Sequence, residues 1–214
     1  MDPQQIEEAL KWRYACKKYD IQTKIPAKQW DALKQAMAKS PSSYGLQPYK
    51  FLVIENPQTR AKLREVSWNQ AQVTDCSHYV VMITRNDMTQ ADIEQYIQLV
   101  ANTRGVQLSE LKGYRDLMIT KVVEGMDQTQ KLEWTRRQAY IAMGFLLETA
   151  ALLKIDSTPI EGMDPKAYDE ILNLSTTGYR SVAAVALGYR HPEDTYQKVK
   201  KVRRSMEDLF EVRA

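Results

Sequence analysis

Glycine is scarce in this chain of 214 residues, and its spacing excludes more than its number does. The eight glycines stand at 45, 105, 113, 125, 144, 162, 178 and 188, never closer than eight positions apart. Neither a G-x-G-x-x-G dinucleotide turn nor G-x-x-x-x-G-K-[ST] can be written with that spacing. The G-x-S-x-G nucleophile elbow is excluded in the same way. Any phosphate bound here must be held by side chains and helix N-termini. Histidine and cysteine occur twice each, as His78 and His191 and as Cys16 and Cys76. Without H-E-x-x-H or C-x-x-C, no metal site is expected. Two cysteines make no disulfide framework, which points to a reducing compartment. The opening Met-Asp-Pro-Gln-Gln-Ile-Glu-Glu is acidic and polar, unlike a secretion signal. No run of eighteen uncharged apolar residues occurs, so no membrane span is expected. The expected setting is the cytoplasm. Excess charge is lacking as well: 30 Lys and Arg against 27 Asp and Glu leave +3. That is too mild to make nucleic acid the default partner.

What is present is ordinary globular composition, with 43% apolar and 27% charged residues. A chain of this length buries roughly 70% of its unfolded surface and reads as one domain, 1–214. Residues 3–12 predict a short helix with Ile6, Ala9 and Leu10 on one face. Pro26 opens a second helix, apolar along Ile25, Trp30, Leu33 and Met37, which ends before Pro41. Phe51–Ile54, His78–Thr84 and Ser181–Gly188 read as buried strands, and Ser157–Ile160 is too short for a central one. Pro57–Val66 is helical, and Asp164-Pro165 caps a helix running to about Asn173. Residues 86–125 form a helical excursion on the surface. The dominant helix is 128–155, whose stretch Ala139–Leu147 is apolar on every face, as in a large core or under a partner subunit. Long helices between strands indicate an α+β or α/β architecture.

Five segments carry groups that could do chemistry. Arg13 and Lys17, four apart after a helix, can share one side of a turn. Lys201 and Arg203 alternate in a basic tail, so an extended chain aims both at one anion. Pro41-Ser42-Ser43-Tyr44-Gly45-Leu46-Gln47-Pro48 offers hydroxyls, an amide and backbone N–H groups. Pro159-Ile160-Glu161-Gly162 precedes a capped helix and can donate a backbone N–H to a ligand. Trp68-Asn69-Gln70-Ala71-Gln72 carries amides suited to the edge of a heterocycle. Taken singly, each also reads as a solvated face or a connection. Cys16 beside Lys17 invites a lowered thiol pKa, but no positioned base accompanies it. His78, at the start of an apolar strand, reads as a satisfied structural histidine.

Together and in this order, the segments resemble the nitroreductase family, in its oxygen-insensitive NAD(P)H nitroreductase and flavin reductase branch. P-S-S-x-x-x-Q-P at 41–48 and P-I-E-G-M-D at 159–164 carry most of the likeness. Ala9–Asp20, Gly188–Asp194 and the Lys201–Arg203 pair extend it along the chain. The resemblance implies an α+β fold with a mostly antiparallel central sheet, flanking helices and a long buried central helix. It also implies an intertwined homodimer with FMN in the interface. Arg13, Tyr14, Ala15 and Lys17 would line the FMN phosphate, ribityl chain and ring edge, and Lys201 and Arg203 would clamp the phosphate. Asn69 and Gln72 would face the pyrimidine end of the ring. Pro159, Ile160, Glu161 and Gly162 would cover one ring face. Pro41, Ser42, Ser43 and Gly45 would arrive from the other subunit. Tyr44 would stand at the open face, where NAD(P)H and the acceptor take turns.

The implied activity is an FMN-dependent NAD(P)H oxidoreductase working by a ping-pong mechanism on quinones, nitroaromatics or related acceptors. Lys17 would stabilise the charge that reduction places on the ring, and Glu161 would order its loop and influence proton delivery. Alternatives are a dihydropteridine reductase, a free-flavin reductase, a reductive dehalogenase, or a flavin-binding module without catalysis. Gln72 stands where relatives often carry lysine, and Ala15 where a hydroxyl residue is frequent. The first change lowers the expected flavin potential, and the second removes one phosphate hydrogen bond. In relatives the region matching 86–125 shapes the substrate mouth.

Overall fold

The computed structural model describes residues 2–213. The first helix, α1 (Pro3–Trp12), begins in a capping box: Asp2 accepts the Gln4 N–H, and Gln5 accepts the Asp2 N–H. It buries Ala9, while Leu10 is exposed, so its apolar face is narrower than the sequence predicts. Helix α2 (Ala27–Ala38) buries Leu33 and Met37 and ends before Ser40-Pro41.

Four strands form one sheet: β1 (Tyr49–Val53), β2 (His78–Arg85), β3 (Asp156–Ile160) and β4 (Tyr179–Gly188). Their order is β1-β2-β4-β3, and every pairing is antiparallel. In the central pair, alternate side chains enter two different cores, because successive Cβ atoms point to opposite faces. Val80, Met82, Ala183, Val185 and Leu187 pack with Leu33, Met37 and Leu146 on one face. Tyr79, Val81, Ile83, Ala184 and Ala186 pack with Leu63, Val73 and Tyr168 on the other. Both faces are therefore covered, which is why these strands read as continuous apolar runs. The second face carries α3 (Pro57–Glu65), α4 (Gln72–Asp75) and α8 (Pro165–Ile171).

One strand expectation needs correction, and another holds. The run Phe51–Ile54 is not a buried strand: β1 is an edge, with Phe51 and Leu52 half-buried and Val53 exposed. The short Ser157–Ile160 segment is β3, at the opposite edge, where Pro159 is tolerated because one side of the strand needs no ladder donor.

Helix α7 (Gln128–Leu152) starts at an Asp127 capping box and runs for 25 residues across the first face. It is not buried all round within the chain. Ala139, Ala142, Met143 and Leu146 are covered, but Ile141 and Phe145 are 40% and 42% exposed. At 3.6 residues per turn, one side rests on the sheet and the stripe 141-144-145-148 faces away. The excursion has its own small core of Met88, Ile93, Ile97, Met118 and Val122. It consists of α5 (Gln90–Arg104), α6 (Lys112–Met118) and a π-helical stretch, Ile119–Glu124. The tail carries a 3₁₀ turn, Thr195–Lys198, and a one-turn α9 (Met206–Leu209), which is exposed.

Candidate functional site

A cavity of about 380 Å³ opens where the two ends of the chain meet. One wall is the end of α1 and the extended segment that follows; the other is the tail from Tyr196 to Arg203. The first wall is fixed by the sheet. Ala15 pairs in parallel with Ser157 on the free edge of β3, and Tyr19 pairs with Arg190 just beyond β4. Asp20 N–H donates to Tyr189 O at 2.8 Å, and His191 N–H donates to Lys18 O at 2.9 Å.

Lys11, Arg13, Lys17, Lys200, Lys201 and Arg203 line the cavity, and no carboxylate does among the described residues. These cations act on one another. Burial and the Arg203 guanidinium hold Arg13 below the ordinary arginine pKa. Burial, Arg13 and Arg203 do the same to Lys201. Arg13 Nε is buried without a hydrogen-bond partner. The Lys201 ammonium donates to Arg13 O at 2.5 Å and also reaches Leu10 O. An anion entering here would relieve the repulsion and pair the orphaned N–H, so the residues present fit a phosphate group. Lys17 Nζ lies 5.5 Å from the centre of the Tyr196 ring. Ala15 contributes backbone only. The Tyr14 hydroxyl donates to Asp194 at 3.0 Å, and burial together with that carboxylate raises its pKa.

The loop after β3 forms a second part of the site. Gly162 has no room for a side chain, since the Trp68 ring lies 2.7 Å from where a Cβ would stand. Trp68 and Asn69 both take left-handed backbone, φ 52 and 53. Gln70 Nε2 donates to Gly162 O at 3.0 Å, and Asp164 N–H donates to Val66 O at 2.9 Å. Asn69 Oδ1 accepts from Arg64 Nε at 2.9 Å, and Gln72 is buried. The Glu161 carboxylate accepts the Tyr140 hydroxyl from α7, and burial followed by that contact pushes the tyrosine pKa up to about 12. Strand β3 thus joins both parts, with the Ala15 bridge at its start and Pro159, Ile160, Glu161 and Gly162 at its end.

The loop with Pro41, Ser42, Ser43, Tyr44 and Gly45 lies elsewhere and lines none of the basic cavity among the described residues. Ser43 N–H donates to Gln138 Oε1 at 2.7 Å, and the Tyr114 hydroxyl donates to Tyr44 O at 2.7 Å. Tyr44 has φ 57 and Gly45 φ 77, and the Tyr96 hydroxyl covers the place where a Gly45 side chain would begin. The chain therefore brings Arg13, Tyr14, Ala15, Lys17, Lys201 and Arg203 to one cavity. It sets Trp68 and Gln70, the neighbours of Asn69 and Gln72 in sequence, against Gly162 and leaves 41–45 apart.

The Cys16 thiol is not activated by Lys17. Burial first, and then Asp156 and Asp194, raise its pKa rather than lower it. His78 stacks on Trp30 at 4.3 Å, and burial holds its pKa below the ordinary value. Sequence reasoning missed Asp194, Arg190, Asp156 and Tyr140. Arg190 pairs with the buried Asp156 at 2.6 Å and lies 4.1 and 4.6 Å from the Trp12 and Tyr14 rings. Nothing in the local sequence pairs Arg190 with the Trp12 and Tyr14 rings, which meet it only through the fold. Among the described residues no cluster suits a metal ion, and no helix is long and apolar enough to cross a membrane.

The model of the Nitroreductase family matches residues 10–189. A protein assigned as an NAD(P)H nitroreductase in Staphylococcus saprophyticus is 34% identical over 218 residues, spanning 97% of this chain and 96% of that one. The major NAD(P)H-flavin oxidoreductase of Aliivibrio fischeri is 31% identical over 210 residues, spanning 95% and 96%. A solved structure from Exiguobacterium sibiricum, assigned as a nitroreductase in complex with FMN, superposes with a TM-score of 0.79. That superposition covers 100% of this chain and 98% of the other at 20% identity, a likeness of fold. On the family match and the two relatives in sequence, this chain belongs to the nitroreductase family.

Proposed function

We propose that the protein is an FMN-dependent NAD(P)H oxidoreductase that reduces quinones, nitroaromatics or related acceptors in a reducing, cytoplasmic setting. The observation that carries this reading is the basic cavity, lined by six cations and no carboxylate, with Arg13 Nε unpartnered. When bound, FMN supplies hydride acceptance from NAD(P)H and hydride delivery to the acceptor, in alternation at one open face, a ping-pong sequence. Arg13, Lys201 and Arg203 hold the phosphate. Charge-assisted hydrogen bonds contribute about 1.5–3 kcal/mol each, against about 0–1 kcal/mol for an exposed ion pair. Three of them converging retain a cofactor without any glycine-rich cradle. Lys17 supplies preorganised positive charge at the ring edge, where it stabilises the reduced state. Asn69 and Gln72 meet the polar end of the ring, and Pro159, Ile160 and Gly162 cover one face. Glu161 orders that loop through the Tyr140 hydroxyl, which keeps its carboxylate hydrogen-bonded to α7.

A second copy of the chain completes the site. It brings Pro41, Ser42, Ser43 and Gly45, with Tyr44 at the open face, and it covers the exposed Ile141 and Phe145 stripe of α7. The name of the Aliivibrio fischeri relative favours free flavin as one acceptor. The test is a visible spectrum of the purified protein before and after anaerobic NADH or NADPH. A yellow protein that bleaches, then regains colour with a quinone or nitroaromatic, is expected. A chain that stays colourless after soaking in FMN overturns the proposal. Sedimentation as a monomer with full flavin overturns the dimer.

A further inference from the structure

Both walls of the basic cavity converge on a carboxylate that lines neither. Asp194 is 2% exposed. Its Oδ2 accepts the Lys17 N–H at 2.7 Å, the Lys18 N–H at 3.1 Å and the Tyr14 hydroxyl at 3.0 Å. The Cys16 thiol lies 3.4 Å from the same oxygen. Its Oδ1 accepts the Tyr196 N–H at 3.0 Å, capping the turn that opens the tail. The first donors belong to the wall that carries Arg13 and Lys17. The last belongs to the wall that carries Lys201 and Arg203. Lys17 and Asp194 are 177 positions apart in sequence, so no local preference holds these walls together. The Lys201 ammonium on Leu10 O and Arg13 O also ties the walls, but it is itself one of the cations in question. His191 N–H on Lys18 O and the Lys18–Glu193 pair anchor the first wall just ahead of the tail. Burial alone would raise the Asp194 pKa, but the N–H groups of Lys17, Lys18 and Tyr196 outweigh it and keep the carboxylate below its ordinary value. It is therefore ionised at neutral pH and bonds at full strength.

We propose that Asp194 is a positioning residue for the anion site: it fixes the separation of the two cationic walls and so sets how tightly the cofactor phosphate is held. This rests on the reading that the cavity takes the FMN phosphate. Asp194 has two effects of opposite sign. Through space, a negative charge near the cavity weakens anion binding, and its removal would tighten FMN. As a tie, its removal lets the walls separate and weakens FMN. The direction of the change decides between them.

The experiment titrates the full chain, stripped of flavin, with FMN and with riboflavin, which lacks the phosphate. Asp194→Asn keeps the size but turns an amide toward N–H groups that need an acceptor. FMN affinity is expected to fall on the order of 10- to 100-fold, with riboflavin affinity changed less than about threefold. An equal loss for both ligands, which general loosening would produce, overturns the proposal. So does an unchanged FMN-to-riboflavin ratio, and so does tighter FMN binding. If the wild-type chain binds FMN no better than riboflavin, the phosphate reading of the cavity fails, and the proposal with it. Asp194→Glu keeps the charge one methylene further out and serves if the Asn variant does not fold. It is expected to lose FMN selectively, and a wild-type ratio in that variant overturns the proposal.

Discussion

The basic cavity and the helical excursion are built by opposite means. In the cavity, residues 13–17 meet residues 194–203 through hydrogen bonds that span 177 to 188 positions. In the excursion the decisive bonds are local. Thr89 and Asp92 close a capping box three residues apart, and Gly105, at φ 67, ends the same helix. Its five fully covered core side chains all fall between Met88 and Val122. One region is assembled by the rest of the fold, whereas the other can form largely on its own. If the cavity grips the cofactor as proposed, the region expected to shape the acceptor mouth should be able to change without disturbing that grip.

A core variant in the excursion tests that separation most severely. Ile93 is fully buried. Ile93→Ala is expected to cost about 2–5 kcal/mol of stability. Hydrogen exchange should show the loss over 90–124. FMN affinity should stay within about twofold, since distant sites act independently. A parallel fall in FMN affinity would break the comparison. Arg203→Ala is the converse case. Arg203 is exposed and lines the cavity. Its loss should weaken FMN by about 1.5–3 kcal/mol, roughly 10- to 150-fold. The thermal midpoint should hardly move. Full FMN retention in this variant would remove Arg203 from the site.

Tyr114→Phe probes the seam between the excursion and the 41–45 loop. It deletes the 2.7 Å bond to Tyr44 O and leaves that carbonyl unpaired in a left-handed turn. The expected cost is about 1–2 kcal/mol. Faster amide exchange confined to 43–46 is the signature. Unchanged exchange there would mean that the Ser43–Gln138 bond alone sets the turn.

The same contrast explains what was legible in the sequence. Local signals stood up: the Asp164-Pro165 cap begins α8, and the apolar runs of β2 and β4 are the sheet's centre. Phe51–Ile54 misled because an apolar run does not say whether a strand has one neighbour or two. Ala139–Leu147 is legible only in part, because apolarity on all faces does not say which face the same chain covers. Arg13, Lys17, Lys201 and Arg203 were legible as residue types suited to an anion. Asp194, which joins their two segments, reads in Pro192-Glu193-Asp194 as an ordinary turn residue. Gly162 read as a helix entrance, yet its lack of a side chain is required by the Trp68 ring, far away in sequence.

The smallest effect concerns acid. Asp92 Oδ2 accepts the Thr89 N–H at 2.8 Å, the Thr89 hydroxyl at 2.7 Å and Arg85 Nη2 at 2.8 Å. Burial pushes the Asp92 pKa up, but Arg85 and Thr89 outweigh it and hold the carboxyl below its ordinary value. A depressed folded-state pKa means the contribution is complete above the unfolded value, about 3.9, and is lost as pH falls through the folded value. Desolvation offsets much of the Arg85 attraction, so the amount at stake is about 1 kcal/mol or less. Relative to intrinsic rates, hydrogen exchange over 90–104 should therefore quicken in the wild type below about pH 4. In Asp92→Asn it should be quicker already at neutral pH and should change less on acidification. Asp194 is depressed for the same kind of reason, so the cavity walls should loosen in the same acid range in both proteins. If Asp92→Asn also removed the acid response of residues 13–18, the two regions would share one cooperative unit, and their independence would be lost.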